Sequence, residues 1–330
     1  MNIYDFDETI YDSDSTKDFY FYCLKKYPQM LLTVPRMAWG FFLYTLGIIP
    51  KTRAKEIMYR FLLHVPDVDA ALEDFWNIHE GKIKPWYKDR QNENDIIISA
   101  SPEFLLEPIC KRLGIKYLMA SRVDKKTGRY TGENCWGAEK VDRLYNMFPD
   151  AHCEEFYSDS LSDTPLAEIA ESAFIIRGDT LIPWNEYKPK KWKVFCNREF
   201  LSFIIIGGVN TISNAVFSVG YRQILNHIYT NQSADWYTNI AFYPGYITAN
   251  VLAYILNSKL TFKEKLSFKR YCKFFISYIP NFIIQKGIVK LFTMFIGGHA
   301  FIAYALAAVI GVPVTFVFMK IFTFRKKTAK

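Results

Sequence analysis

The second half of the chain holds the feature that limits its fold most, which is a series of long apolar stretches in a segment almost without acidic residues. Residues 188–330 contain 19 of the 41 Lys and Arg residues but only three of the 33 Asp and Glu residues. Four stretches of roughly 20 residues, the length that a bilayer requires, lie near 200–222, 237–258, 272–295 and 299–322. The sequence therefore predicts an all-α domain of four transmembrane helices over residues 200–327.

Clusters of basic residues around these stretches indicate how the helices are oriented. The clusters lie at 188–198, 259–273 and 325–330, and they alternate with two turns that are nearly free of charge. Basic loops tend to stay on the cytoplasmic side of a membrane. We therefore expect a multi-pass protein of a bacterial inner membrane, with the N- and C-termini both in the cytoplasm.

The predicted membrane domain also shows a faint internal repeat. The second and fourth stretches end alike, in Leu260–Lys263 and Phe322–Arg325, and the first and third each carry an Asn, Asn210 and Asn281, a short way in. Two helix pairs that start on the same side would form a parallel repeat of the kind found in transporters. Aromatic residues followed by Lys or Arg are also common at membrane interfaces, so the similarity leaves both explanations open.

Residues 1–187 have a different composition, with 22 Lys and Arg against 30 Asp and Glu residues. Short apolar runs alternate there with helical patterns, which is typical of an α/β domain. The predicted strands are Asn2–Phe6, Asp95–Ser99, Lys116–Ala120, Glu155–Ser158 and Ala173–Ile176, and the predicted helices are Ser101–Gly114, capped by Ser101, and Gly137–Phe148, with a hairpin at Ser121–Gly132. A basic linker at 188–199 separates this domain from the membrane domain.

About 85 residues without a strand pattern separate the first two predicted strands. An insertion this long forms a domain of its own, and we predict a helical cap over residues 14–90 that covers the sheet edge where α/β proteins bind ligands. Within it, Met30–Pro50 has one charged residue in 21 positions. Pro35 and two glycines argue against a membrane span. We expect a cap helix that is either buried or in contact with the bilayer interface.

Polar side chains follow several of the predicted strands. They are Asp5 and Asp7 after the first strand, Ser99 at the end of the second, Lys140 on a later helix, and Asp159 and Asp163 after the fourth. Two carboxylates as close as Asp5 and Asp7 repel each other unless a cation such as Mg²⁺ neutralises them. Taken singly, each feature also fits a plainer role, such as a solvated acidic turn, a helix cap or an exposed helix face.

The ordered set resembles the four motifs of the haloacid dehalogenase phosphatases, most of all the branch similar to phosphoserine phosphatase that has a helical cap. The resemblance covers residues 1–185 and implies a Rossmann-like core, Mg²⁺ as cofactor and an aspartyl-phosphate intermediate. It implies that Asp5 is the nucleophile and Asp7 the general acid and base. The resemblance also assigns Thr9, Ser99 and Lys140 to the substrate phosphate, and Thr9 supports the loop as well. It assigns four carboxylates to the metal ion, namely Asp5, Asp7, Asp159 and Asp163. Many relatives have Gly where this chain has Ser158, a departure that we expect to do little harm.

The second half resembles the GtrA-like family of small four-span membrane proteins, over about residues 198–327. Phe200–Asn214, Ala249–Phe262 and Phe322–Phe324 carry the resemblance. It implies a polyprenyl-phosphate-linked sugar as the partner, moved across a membrane for cell-surface glycans. Polar side chains are costly in hydrocarbon unless they face each other or a cavity. A lipid or polar site is therefore predicted at Asn210, Asn214, Asn250, Asn257, Asn281, Gln285 and Lys286, although Lys286 fits a side chain that reaches the outer interface equally well.

These patterns predict a Mg²⁺-dependent phosphomonoesterase fused to a GtrA-like membrane domain and acting on a lipid-linked or glycan-precursor phosphate. Two alternatives stay open. One is a lipid-linked sugar transporter with a regulatory first domain, and the other is a membrane-tethered phosphatase of a soluble metabolite. We expect a membrane lipid and no nucleic acid as partner, and four short spans allow a homodimer through the membrane domain.

Overall fold

The computed structural model describes residues 1–189, 195, 197–229, 234–280, 283 and 310–324 of the chain. They form two compact units. The first unit consists of Met1–Tyr44 and Ile49–Pro189, and the second consists of Thr45–Ile48 and the residues after Pro189. The first unit contains a β-sheet with its helices, and the described part of the second unit is helical.

The first unit is built on a sheet of six strands in the order β3-β2-β1-β4-β5-β6. The strands are β1 (Asn2–Tyr4), β2 (Ile96–Pro102), β3 (Tyr117–Ser121), β4 (Cys153–Ser158), β5 (Ala170–Arg177) and β6 (Thr180–Pro183). The pairs from β3 to β5 are parallel, and β6 is antiparallel to β5. The predicted α/β class is confirmed. Because β1 lies between β2 and β4, the carboxyl ends of these three strands meet at one edge.

Successive residues of the central strands pack on opposite faces of the sheet. Ile3 packs with Phe156 in a cluster on one face, whereas Tyr4 and Tyr157 belong to a larger cluster on the other. The rings of Tyr4 and Tyr157 stack with their centroids 4.8 Å apart, and Tyr157 stacks in turn on Phe174 of β5. Both faces are therefore covered by apolar packing, which is what the near-continuous apolar runs of parallel strands require.

The helix after β2 begins later than the sequence predicts. This helix, α6, spans Glu103–Arg112 and has Pro102 at its N-cap position. The N–H of Ser101 donates to Ser99 Oγ at 3.1 Å, and its hydroxyl donates to Asp7, so its side chain cannot cap the helix. The prediction of Ser101 as N-cap was therefore wrong.

The remaining connections of the sheet include two predicted elements and one that was missed. Helix α7 (Ala138–Met147) differs from its prediction by one residue at each end. The predicted hairpin is present as an antiparallel bridge between Val123 and Tyr130. Strand β6 was not predicted, although it follows β5 across a two-residue turn in which Gly178 has a φ of 61°. A four-residue helix, α8 (Thr164–Ala167), leads into β5.

The secondary structure between β1 and β2 is helical, apart from isolated bridges, as predicted for a cap. Its helices are α1 (Ser15–Lys26), α2 (Val34–Thr45), α3 (Lys51–Tyr59), α4 (Val68–His79) and α5 (Pro85–Lys88). Helix α2, which lies in the apolar Met30–Pro50 segment, has 12 residues. At about 1.5 Å per residue it is much shorter than a hydrocarbon core of about 30 Å, so this segment is not a span.

The second unit contains the helices α9 (Arg198–Ile228), α10 (Ala234–Leu256) and α11 (Phe268–Ile276), and a further apolar helix at Ile310–Thr323. Within the described ranges, one helix, α9 with 31 residues, is long and apolar enough to cross a membrane. The first two predicted spans fall on α9 and α10. Most of the third and almost half of the fourth lie outside the described residues, so the number of four spans stays a prediction.

Matched contacts relate the two helix pairs of this unit. In each pair, a serine hydroxyl of the first helical segment contacts a threonine hydroxyl near the end of the second helical segment. The contacts join Ser202 with Thr261 at 2.9 Å and Ser277 with Thr323 at 2.8 Å. The next residues, Phe262 and Phe324, stack on each other with their ring centroids 4.2 Å apart. The ends that are alike in sequence are thus also alike in structure, which favours an internal repeat over chance similarity.

Candidate active site

The edge where β1, β2 and β4 end forms the floor of a cavity of about 940 Å³ within the first unit. Six of the residues predicted for the site line this cavity, namely Asp5, Asp7, Ser99, Lys140, Asp159 and Asp163. They come from distant parts of the chain and meet because the sheet order brings three strand ends together.

Lys140 joins two of the predicted motifs. It is 1% exposed, and its Nζ donates to Asp5 Oδ1 at 2.9 Å and to Asp163 Oδ2 at 2.8 Å. Burial lowers the pKa of Lys140, but the two carboxylates outweigh burial and hold this pKa above its ordinary value. The lysine therefore remains charged, and the plainer alternative of an exposed helix face is excluded.

Asp5 directly follows β1, and its backbone N–H donates to Tyr157 O at 2.9 Å, which continues the pairing of β1 with β4. Its side chain lies at the floor of the cavity. Burial raises the pKa of Asp5, the charge of Lys140 opposes this rise, and the charge of Asp163 adds to it. Asp5 is thus a carboxylate with limited solvation that depends on cations beside it.

Asp7 is held by two hydrogen bonds that do not involve the other acids. Its Oδ1 accepts from the N–H of Ser15 at 2.6 Å, at the start of α1, and its Oδ2 accepts from the hydroxyl of Ser101. Burial raises the pKa of Asp7 to about 6, the charge of Asp14 adds to the rise, and the bonds from Ser101 and Ser15 limit it. Asp7 can therefore exchange a proton near neutral pH, as a general acid and base must.

Asp159 follows β4 and is fixed through its backbone. Its N–H donates to Thr9 Oγ1 at 2.9 Å, and its carbonyl oxygen accepts from Arg177 at 2.7 Å. Burial raises the pKa of Asp159 to about 7, the charge of Asp5 adds to this rise, and Arg177 opposes it. Thr9 is fully buried and its hydroxyl is directed to Asp159. The structure therefore places Thr9 under the loop, and its assignment to the substrate phosphate stays a prediction.

Ser158 contributes to the site, although the sequence predicts little effect from it. Its hydroxyl donates to Asp163 Oδ2 at 2.8 Å and accepts from the N–H of Ser160. Asp163 Oδ2 thus receives both Ser158 and Lys140, whereas Asp163 Oδ1 is buried and makes no hydrogen bond within the described residues. A glycine at position 158 could not make this contact.

The residues present fit a divalent cation. Asp163 Oδ1 lacks a donor, and burial raises the pKa of both Asp5 and Asp159. These carboxylates are short of positive charge, which Mg²⁺ would supply. Among the described residues, no three His, Cys, Asp or Glu side chains gather into a complete metal site. Asp7 is occupied by its own donors, so backbone, water or substrate oxygens would complete the shell, as is usual for Mg²⁺.

The loop between Asp7 and Thr9 is strained and clamped. Glu8 has a φ of 58°, a left-handed conformation that is costly for residues other than Gly and occurs often at active sites. Lys84 of the cap, which is 2% exposed, donates to Glu8 O and to Gly178 O, both at 2.8 Å. Lys84 therefore ties the loop to the turn between β5 and β6.

Several of these supporting residues were missed in the sequence. Ser101 could have been found, because residues two apart on a strand point to the same face and Ser99 was already a candidate. Arg177 and Lys84 carry no such signal, since their partners are backbone carbonyl groups far away in sequence.

The cap supplies an apolar wall to the cavity. Val34, Met37, Ala38 and Phe41 of α2 line it at the three- and four-residue spacing of one helix face. Elsewhere in the same apolar segment, Leu32 is 79% exposed and Trp39 is 60% exposed. The cavity therefore combines a charged floor with an apolar side.

The polar residues predicted for a lipid site in the second unit are partly described. Asn250 is 1% exposed, and neither of its amide atoms makes a hydrogen bond within the described residues. The Oδ1 atoms of Asn210 and Asn257 likewise have no partner there, whereas Asn214 Oδ1 accepts from Ser218. Asn281, Gln285 and Lys286 lie outside the described residues. The lipid site stays a prediction.

Two family models match this chain. Residues 3–168 match the model of the haloacid dehalogenase-like hydrolases, and residues 202–328 match the model named GtrA/DPMS, transmembrane domain. The first match contains all the residues of the candidate active site, apart from Arg177 and Gly178. The second covers most of the helical unit.

Curated relatives match parts of the chain. A probable phosphatase of Mycobacterium tuberculosis is 34% identical over 92 residues, which are 26% of this chain and 32% of that protein. Protein CicA of Caulobacter vibrioides is 33% identical over 82 residues, 23% of this chain and 37% of that protein. Histidinol-phosphatase of Neisseria meningitidis is 27% identical over 118 residues, 31% of this chain and 51% of that protein. The chain thus spans between about a third and half of the length of these relatives.

Solved structures are similar to the chain over about half its length. A phosphoserine phosphohydrolase-like protein of Francisella tularensis has 17% identity and a TM-score of 0.37, with 54% of this chain and 88% of that one covered. A protein of Bordetella pertussis has 22% identity and a TM-score of 0.44, with 53% and 88% covered.

Proposed function

We propose that this chain, which belongs to the haloacid dehalogenase-like hydrolases, is a membrane-bound phosphomonoesterase that acts on a lipid-linked or glycan-precursor phosphate. The observation that carries the proposal is the buried Lys140, which contacts Asp5 and Asp163 at the floor of a cavity that Asp7 and Asp159 also line. A lysine buried between carboxylates at a sheet edge is suited to phosphate chemistry rather than to stability alone.

Asp5 and Asp7 carry the reaction steps in this proposal. An oxygen of Asp5 attacks the phosphorus atom, a bond from Asp5 to phosphorus forms, and the bond to the leaving alcohol breaks. Asp7 gives its proton to the leaving oxygen and then removes a proton from the water that hydrolyses the aspartyl phosphate. The raised pKa of Asp7 supports this exchange. Lys140 keeps its charge and stabilises a phosphoryl oxygen, and Ser99 lies where its hydroxyl can contact another.

We assign Asp5 and Asp159 to holding Mg²⁺, and Asp163, which shares Lys140 with Asp5, to the charge around the ion. When bound, the ion would supply positive charge that reduces the repulsion between an anionic substrate and the carboxylates. Thr9 and Arg177 position Asp159 through its backbone, and Ser158 and Lys140 orient Asp163. These contacts hold the carboxylates at the floor of the site in place before a charged ligand binds.

The apolar wall of α2 and the membrane domain support a lipid-borne substrate. A small polar metabolite would leave the face formed by Val34, Met37 and Phe41 without a contact, whereas a lipid chain would cover it. We place the protein in the bacterial inner membrane with both termini in the cytoplasm. The GtrA/DPMS domain would bind or move a polyprenyl-phosphate-linked sugar, and pairing of its helices would allow a homodimer.

Phosphate release tests the proposal directly. Full-length protein in detergent with Mg²⁺ is given farnesyl phosphate, dioleoyl phosphatidic acid and phosphoserine. We expect release from the lipids, a loss of about a thousandfold or more in Asp5→Asn, and a loss on chelation that Mg²⁺ restores. Asp12→Asn is the matched control, because Asp12 lies on the same loop but its side chain is 68% exposed. Full activity in Asp5→Asn would refute the mechanism, and release from phosphoserine alone would refute the lipid substrate.

A further inference from the structure

Helix α3 of the cap presents one face to the cavity. Lys51, Ala54, Lys55 and Met58 line it, at the spacing that places residues on one side of an α-helix. Lys51 and Lys55 are four residues apart and therefore lie one turn apart on this face. The mechanism proposed above uses neither of them.

Lys55 reaches the end of β2 without meeting an acid. Its Nζ donates to Ala100 O at 3.0 Å and to Asn134 Oδ1 at 3.3 Å, and both acceptors are neutral. Burial lowers the pKa of Lys55, and the nearby charge of Lys51 contributes to lowering it, to about 8. At pH 7 the ammonium group is mostly charged, and it has two polar contacts but no counter-charge among them.

Lys51 is also without a paired acid. Its Nζ lies 4.7 Å from the ring centroid of Trp136, which also lines the cavity. A cation–π contact of this kind holds the ammonium group in place but does not neutralise it. In the part of the chain that the structure describes, no ion pair joins Lys51 or Lys55 to a carboxylate, whereas Lys140 has two.

The cavity thus has charges of two kinds. On the floor, Lys140 is balanced by Asp5 and Asp163. On the cap side, two ammonium groups face the same space and neither has an ion pair within the described residues, which favours a ligand with negative charge there. The phosphate that is removed must reach Asp5 on the floor, so the lysines on the cap would meet another part of the substrate.

We propose that Lys51 and Lys55 form a second anion subsite, and that the substrate carries a second phosphate group there in addition to the one that is removed. Lysine binds phosphate as a point charge with three donors and needs no fixed geometry. The apolar face of α2 lines the same cavity. The substrate class is therefore an apolar chain that bears two phosphate groups, and this inference rests on the proposed function.

The test compares two ligands that differ by one phosphate. Phosphate release from farnesyl diphosphate and farnesyl phosphate is measured with full-length protein, Lys51→Gln and Lys55→Gln. We expect each variant to lose about tenfold more kcat/KM on the diphosphate than on the monophosphate. Lys55→Arg keeps the charge and should keep most of the preference for the diphosphate over the monophosphate. This variant therefore separates the effect of a lost charge from the effect of impaired folding. Lys25→Gln makes the same change at an exposed position of α1 that does not line the cavity, and this variant should match the wild type.

Binding measured without turnover separates this proposal from the proposed function. Asp5→Asn in detergent is titrated calorimetrically with both ligands, alone and combined with Lys51→Gln or Lys55→Gln. If the lysine variants bind only the diphosphate more weakly, and the wild-type protein turns over neither ligand, the subsite is supported and the phosphatase is refuted. Equal losses on both ligands would assign the lysines to the single phosphate, and unchanged binding of both would show that no subsite exists; either result overturns the proposal.

Discussion

Asp7 and Ser101 show how much of this site depends on a single side-chain contact. Asp7 has to change protonation during the proposed reaction, and its pKa depends on burial, on Asp14 and on two hydrogen-bond donors. Ser101 supplies one donor from β2, and the N–H of Ser15 supplies the other from the start of α1. A donor to the carboxylate stabilises the charged form, so Ser101 keeps the pKa of Asp7 lower than burial alone would set it.

Ser101→Ala should therefore raise the pKa of Asp7. The first chemical step needs protonated Asp7, and its rate falls as pH rises through that pKa. Removal of the donor should shift this fall to higher pH by about one unit. The measurement is release of the alcohol in a single turnover between pH 5 and pH 9, with Ser101→Thr as a control that keeps the hydroxyl. An alkaline limb that stays in place in Ser101→Ala would show that Ser101 does not set this pKa.

At the level of elements, the sequence predicts the central strands well because each is a short apolar run that is buried on both faces. Strand β2 extends through Pro102 instead of ending at Ser99, and this depends on a contact from Ser101 to Asp7, 94 residues away. Local propensity favours a cap at Ser101, and the tertiary contact overrides it. Strand β6 has only four residues, and its clearest local signal is the turn at Gly178.

The candidate site was predictable to the extent that its residues follow strands. Asp5 and Asp159 directly follow β1 and β4, and parallel strands bring such ends to one edge, where Ser99 lies within the longer β2. The cap residues Lys51 and Lys55 were not predictable in this way. Which face of a cap helix covers the site depends on how the helices pack, and periodicity alone does not give that orientation.

The cap packs on the core at a point where only glycine fits. Gly128 has a φ of 69°, and a Cβ there would lie 2.6 Å from the carbonyl oxygen of Tyr59 at the end of α3. Gly114 has a φ of 71°, but a Cβ there would meet nothing within 4 Å. A side chain at either position would therefore meet the cost of a left-handed backbone conformation, but only a side chain at position 128 would also collide with Tyr59.

Gly128→Ala should destabilise the protein more than Gly114→Ala does. We expect roughly 1 kcal/mol of lost stability for Gly114→Ala and roughly 3 kcal/mol for Gly128→Ala, where the new methyl group pushes on backbone. The apparent melting temperature of the full-length protein in detergent, followed by tryptophan fluorescence, reports the difference, because five of the seven tryptophans lie in residues 1–189. Equal shifts in the two variants would mean that Tyr59 can move away at little cost.

At the scale of the whole molecule, the matched contacts of the second unit bear on its orientation in a membrane. Ser202 and Ser277 each contact a threonine near the end of the second helical segment of their pair. The phenylalanines that follow these threonines stack on each other. Both helix pairs therefore close at the same end of the bundle. A chain that enters and leaves this bundle at one end would cross a membrane an even number of times, as the alternation of basic clusters predicts.

Reporter fusions would test this orientation. Green fluorescent protein fused after Lys330 should fluoresce, and alkaline phosphatase fused there should be inactive, because both termini are expected in the cytoplasm. Fusions after Tyr229, between the first two predicted spans, should give the opposite result and serve as the internal control. Active alkaline phosphatase both after Tyr229 and at the C-terminus would place the two ends on opposite sides. That result would contradict an even number of spans and the parallel repeat, because two pairs that close at the same end cannot leave the chain on the far side.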